Sequence, residues 1–145
     1  MYIYNILSMI LSTGIDITDI SRIEKTYIKF KNRFLQKLLS KEEQKIFLQN
    51  NNKTTFVSKL ATNWAIKEAV SKAIGCGLLN SSPLHFTDIV ILKNDRNKPF
   101  VVQNEKIIKI TKQLYKLDES CRLLFHISAS NDKGVAIANA IIEVM

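Results

Sequence analysis

One segment limits the fold more than any other. Ala61, Ala65, Ala69 and Ala73 recur at every fourth position. On a helix they form a single small-residue ridge, along which another element can approach closely. The surrounding pattern predicts a long helix from about Phe56 to Ile74. Gly75 supplies its C-terminal stop, and Gly77 keeps the following turn flexible.

Around that helix the chain divides into a helical first half and a strand-rich second half. Tyr2 to Ile17 reads as a strand. Asp19 can cap a helix whose apolar residues Ile20, Ile23, Tyr27, Phe30, Phe34 and Leu38 recur at helical spacing. Arg22, Lys25, Lys29 and Arg33 form a basic stripe on its other face, a pattern that is usually a solvated face. Ser40-Lys41-Glu42-Glu43 reads as a capping box opening a short helix through Leu48, and Gln49 to Thr55 as a loop. Phe86 to Leu92 and Pro99 to Gln103 read as a hairpin turned at Asn94 to Lys98. Glu105 to Leu117 reads as an amphipathic helix. Arg122 to Ser128 and Val135 to Glu143 read as strands joined by a turn at Asn131 to Gly134. Helices lead and antiparallel strands follow, which predicts an α+β fold. No repeat or linker divides residues 1–145, so a single domain is expected, with an N-terminal extension and the first strand in residues 1–13.

The composition narrows the function classes. Asp16 is the first charged residue, so Met1 to Thr13 resembles the apolar part of a signal peptide. It has no basic segment before it and no small-residue cleavage site after it, and it is too short to span a bilayer. A cytoplasmic protein without a membrane segment is expected. Cys76 and Cys121 have neither metal-ligand nor redox spacing, which suits free thiols in a reducing compartment. The net charge of +8 attracts anionic partners. The joint richness in Lys, Asn and Ile also fits an A+T-rich coding bias that raises the charge without a functional reason.

Three constellations carry chemistry. Gly14-Ile15-Asp16 puts a carboxylate at a strand end just before a helix, where a cap or turn residue is the commoner role. Trp64-Ala65-Ile66-Lys67-Glu68-Ala69-Val70-Ser71-Lys72-Ala73-Ile74-Gly75-Cys76-Gly77 puts Glu68 and Lys72 one helical turn apart. Their simplest reading is a surface ion pair worth ~0.3 to 0.5 kcal/mol. His126-Ile127-Ser128 ends an apolar strand, where a histidine is usually a structural hydrogen-bonder.

In this order the three segments resemble the holo-(acyl-carrier-protein) synthase family of phosphopantetheinyl transferases. That family has G-x-D followed by a helical Arg, a central F/W-A-x-K-E-A-x-x-K-A-x-G-x-G helix, and a late H-[IV]-[ST] strand. Asp95-Arg96-Asn97-Lys98-Pro99 resembles its N/D-x-x-G-K-P turn. The likeness runs from Gly14 to about Glu143. Departures are Asn63 where a basic residue usually precedes the aromatic, Asn97 for the turn Gly, Ser130-Asn131 where some members carry a second His, and a longer N-terminal extension. Lys59 or Lys67 is a candidate to replace the missing basic contact.

The resemblance implies an enzyme that transfers 4'-phosphopantetheine from coenzyme A to a serine of apo acyl carrier protein, serving fatty acid biosynthesis. It implies a curved antiparallel sheet packed on the long central helix. It also implies a homotrimer with active sites at subunit boundaries. Asp16 and Glu68 would hold Mg²⁺, and Lys72, Gly75, Gly77 and His126 would meet coenzyme A. Lys72 would be a catalytic donor and Glu68 the first candidate for the base that takes the serine proton, with a metal-bound water as the alternative. Arg22, Lys25 and Lys29 would engage the acidic carrier protein. One competing reading is a nucleic-acid-binding module, but it needs aromatics among the cations, and Phe30 and Phe34 fall on the apolar face. Another is an inactive carrier-binding scaffold, which retention of Asp16, Glu68 and Lys72 argues against.

Overall fold

The computed structural model describes residues 8–49, 52–79 and 81–145. Its centre is α4 (Lys53–Ile74), a helix of 22 residues. Against it lies an antiparallel sheet of β1 (Met9–Asp19), β5 (Val135–Val144) and β4 (Leu123–Asp132), with β5 in the middle. The alanine ridge does what its spacing predicts: Ala61, Ala65, Ala69 and Ala73 are all 0% exposed. The strands answer with small residues of their own, since Ala136, Ala138 and Ala140 of β5 are buried on the same side. Gly14 makes the closest approach. A methyl group there would sit 2.0 Å from the Ala69 carbonyl oxygen and 2.6 Å from the Ala73 nitrogen, so strand and helix touch backbone to backbone.

The other helices flank this core. Asp19 caps α1 (Ile20–Phe30), accepting from the Ser21 and Arg22 amides. The apolar repeat predicted one helix through Leu38, but the chain breaks at Lys31, whose φ is 45°. A second helix, α2 (Asn32–Leu38), begins after it. The periodic residues continue across the break, and no Gly or Pro announces it. The capping box holds: the Ser40 amide donates to Glu43 Oε2 and the Glu43 amide to Ser40 Oγ, opening α3 (Lys41–Gln49). Asn52 caps α4 through the Thr54 amide, so the helix starts earlier than Phe56.

The expected strand at Phe86 is also corrected. Phe86–Asp88 is a 3-10 turn, because Asp88 offers the His85 amide a local partner at 2.8 Å. Pairing resumes only in β2 (Ile91–Lys93), which runs antiparallel to β3 (Pro99–Val101). Asn97 adopts φ 61° in that hairpin, the left-handed conformation a glycine would otherwise supply. The α5 helix (Glu105–Tyr115) follows the expected span closely. β4 runs further than predicted, and the β4–β5 turn is only Lys133-Gly134, both at positive φ. The Tyr2 to Leu7 part of the expected first strand lies outside the described residues.

Candidate functional site

The β1 strand and α4 bring together side chains that are distant in sequence. Lys72 Nζ lies 2.9 Å from Asp16 Oδ1 and donates to the Ile15 carbonyl, also at 2.9 Å. The second Asp16 oxygen accepts from Thr18 Oγ1 at 2.7 Å. The expected helical pair of Lys72 with Glu68 therefore gives way to a pair across to the strand. Two of the three ammonium hydrogens are committed. The Lys72 side chain is still 52% exposed, so its remaining hydrogen faces solvent.

Glu68 is half-buried beside them, and its carboxylate makes no hydrogen bond or ion pair among the described residues. Burial pushes its carboxyl above the usual carboxylate range. The Asp16 charge pushes the same way, with the Lys72 and Arg22 charges opposing. No group of three or more His, Cys, Asp or Glu is placed to hold a metal among the described residues. Two carboxylates close enough for one charge to act on the other nonetheless fit a hard divalent cation, which takes one or two carboxylates when water and substrate phosphates complete its shell. Asp16 would have to share oxygens that already accept from Lys72 and Thr18. The unpartnered, disfavoured Glu68 anion is the side chain that such a cation would relieve.

A cavity of about 640 Å³ is lined by none of these three residues, but Arg22, whose charge acts on Glu68, belongs to its wall. Arg22, Thr26, Phe30 and Arg33 line one part of it, with Leu38, Trp64, His85 and Phe86 among the others. Trp64 anchors this wall, 4.3 Å from Phe86 and 6.0 Å from Phe34 between ring centroids. The Arg22 guanidinium lies 5.7 Å from the Trp64 ring, a cation–π arrangement. Of the basic stripe, Arg22 and Arg33 line this cavity from either side of the break at Lys31, whereas Lys25 and Lys29 are exposed and do not line it.

A second cavity, of about 910 Å³, is lined by Lys59, Thr62, Asn63, Lys93, Asn97 and Asn131 with apolar residues beneath. Of the two candidate replacement cations, Lys59 borders this space. Lys67 does not, being fully buried in an ion pair with Glu43 at 2.8 Å. Asn63 donates to the same Glu43, and its own Oδ1 is buried without a partner among the described residues.

The glycines and the histidine are placed as follows. Gly75 ends α4 at φ 93°, and its amide donates to the Ser71 and Lys72 carbonyls. Gly77 is exposed just beyond, and its carbonyl accepts from Ser82 Oγ. His126 is not brought to the Asp16 cluster within one chain. It stands on the sheet face turned away from α4, bonded to Glu143 at 2.8 Å. That face also exposes Ile15, Ile17 and Ile137 by 60%, 67% and 44%. The Glu43–Lys67 pair was not foreseen as a pair, because 24 residues separate its members and no local periodicity links them.

Comparison with known proteins adds independent findings. The 4'-phosphopantetheinyl transferase superfamily matches residues 12–138. A holo-[acyl-carrier-protein] synthase of a Geobacillus species is 38% identical over 93% of this chain and 98% of its own length. The Campylobacter hominis protein of the same name is 40% identical over 90% of this chain and 96% of its own. Among solved structures, the Helicobacter pylori holo-[acyl-carrier-protein] synthase in complex with coenzyme A superposes with a TM-score of 0.69 at 32% identity, covering 90% of this chain and 98% of that one. The Neisseria meningitidis enzyme gives a TM-score of 0.75 at 26% identity, covering 92% and 98%.

Proposed function

The chain belongs to the 4'-phosphopantetheinyl transferase superfamily, and on that premise we propose that it converts apo acyl carrier protein to its holo form. The carrier's serine oxygen attacks the β-phosphorus of coenzyme A. A new P–O bond to serine forms, the bond to the bridging pyrophosphate oxygen breaks, and adenosine 3',5'-bisphosphate leaves. The observation that carries this reading is the convergence of Asp16, Glu68 and Lys72 from β1 and α4, with Arg22 linking that cluster to an open, partly basic cavity.

Each residue has a task that follows from its placement. Asp16 and Glu68 are the side chains that would hold Mg²⁺, which when bound supplies charge neutralisation at the pyrophosphate. Lys72, anchored by Asp16 and the Ile15 carbonyl, turns its remaining N–H toward phosphate oxygen. It therefore acts from a preorganised position. Glu68 is the first candidate for the group that accepts the serine proton, as the half-buried carboxylate that stands beside Lys72 without a hydrogen bond among the described residues, with a metal-bound water as the alternative. The Arg22 face, with its cavity, receives the carrier protein, and the exposed Lys25 and Lys29 extend its positive field. Gly75 and Gly77 leave the backbone after α4 open to the nucleotide.

His126 fits a role at a subunit boundary. It shares a sheet face with the exposed Ile15, Ile17 and Ile137, apolar surface that a homotrimer would cover. Across such an interface the imidazole would reach the phosphates held by a neighbouring copy. Three sites per trimer follow, in a protein working in the cytoplasm.

The test is intact mass of an apo carrier protein after incubation with enzyme, coenzyme A and Mg²⁺. A gain of one phosphopantetheine per carrier is expected. That gain should vanish in Asp16→Ala, in Glu68→Ala and in the chelated enzyme, each still folded. Normal turnover after chelation would remove the metal assignment, and no mass gain with any carrier would remove the transferase reading.

A further inference from the structure

On the side of α4 turned toward α2 and α3 lies a charged pair that the transfer chemistry does not touch. Lys67 and Glu43 are 0% and 1% exposed, with Nζ and Oε2 2.8 Å apart. All three ammonium hydrogens have partners: Glu43, the Leu38 carbonyl at 2.6 Å and the Phe86 carbonyl at 2.9 Å. The carboxylate also accepts from the Ser40 amide at 2.7 Å, Asn63 Nδ2 at 3.0 Å and the Ile91 amide at 3.1 Å. One pair thus ties together the end of α2, the start of α3, the middle of α4, the 3-10 turn and β2.

Stability alone does not call for such a pair. A buried ion pair is costly to desolvate, and apolar side chains of the same shape often serve a core as well. Directional bonds to two separate carbonyls are what apolar side chains cannot supply. Leu38 closes α2 and Phe86 opens the 3-10 turn, and both residues line the cavity that contains Arg22 and Trp64. One ammonium therefore fixes the separation of two walls of that cavity. The Asp16 cluster is set by different contacts, those of Gly14 on Ala69 and Ala73.

We propose that Lys67, held by Glu43, is a positioning residue for the carrier protein: it sets the shape of the Arg22 cavity and leaves the coenzyme A side alone. The proposal rests on the reading that the Arg22 face receives the carrier. Kinetics of the full-length enzyme separate the two. If the parent does not modify carrier protein, that reading fails; if the parent is active, the variants below test Lys67 alone.

Lys67→Met leaves Glu43 as an uncompensated buried charge, so the deciding variant is Lys67→Met/Glu43→Gln, in which both charges go. It is expected to melt cooperatively, with the KM for carrier protein raised on the order of tenfold or more and the KM for coenzyme A unchanged. Equal shifts in both constants, or an unchanged KM for the carrier, would overturn the proposal. Should the double variant fail to fold, Glu43→Gln alone decides on the same split, because it keeps the shape and one acceptor. Failure of all three to fold would also overturn it, since the pair would then serve the fold itself.

Discussion

Lys67 and Lys72 stand five positions apart on one helix, and each meets a carboxylate from another element. Lys67 is fully enclosed, with every hydrogen bonded and its pKa pulled below the usual lysine value by burial. Lys72 is half exposed, with one hydrogen uncommitted and a disfavoured carboxylate beside it. Satisfaction and solvent access separate a group that holds the protein still from a group that can act on a ligand. The same ion-pair chemistry serves both, and the surroundings decide which.

Exchanging the lysines for methionine should break the molecule in opposite ways. Lys72→Met should lose on the order of 100- to 1000-fold in turnover, the usual loss when one preorganised donor is removed. Its stability should fall by no more than about 1 kcal/mol, because an exposed pair contributes little. Lys72→Arg is the sharper probe: a planar fork keeps the charge but not the fit of a compact ammonium. It should fold normally and transfer far more slowly. Full activity in Lys72→Arg would take Lys72 out of the site. Lys67→Met alone should instead cost about 3 to 5 kcal/mol of stability, the penalty of stranding a buried partner, measured by denaturant unfolding. A loss under about 1 kcal/mol would show that the Glu43 network relaxes without it.

A smaller effect distinguishes the carboxylates. The folded protein raises the Glu68 pKa while the unfolded chain keeps the ordinary value. As pH climbs between the two, the unfolded state has released its proton and the folded state still holds it. Metal-free stability should therefore fall with rising pH through that window. Glu68→Gln should remove this part of the pH dependence and stabilise the metal-free protein above the window. Parallel pH profiles for parent and variant would contradict the burial argument.

The smallest effect belongs to the surface. Reversing the charges of Arg22, Lys25 and Lys29 should raise the KM for carrier protein and leave that for coenzyme A alone. The effect should fade as salt rises, since exposed charges are screened over ~8 to 10 Å. Arg22→Glu should matter most, because Arg22 lines the cavity and the two lysines do not. Equal loss at low and high salt would indicate damaged folding.

These contrasts also show what can be read from sequence. The alanine ridge, the Asp19 and Ser40 caps and the α5 pattern were legible because each depends on neighbours within a turn or two of helix. The motif order made the meeting of Asp16 with α4 expectable through resemblance. Local spacing alone suggested the wrong partner for Lys72, because helical proximity to Glu68 is visible in sequence and the distance to β1 is not. The break at Lys31 was hidden because a non-glycine residue adopts the positive φ. The burial of Lys67 was hidden too, for a lysine inside a motif looks the same whether its partner is phosphate or Glu43.

Gly14 carries one more consequence, concerning reach. Its backbone already touches the backbone of α4 at Ala69 and Ala73, so the strand can move no nearer, and the facing rows of alanine give it no reason to stand further off. Asp16 points to the same side two residues later, and it is a short acid facing a longer one on the helix. A glutamate at 16 would bring an extra methylene into a gap whose width is fixed by main-chain contact, and the strand could not shift to take it up. Carboxylate length at position 16 is therefore part of the geometry that the glycine sets.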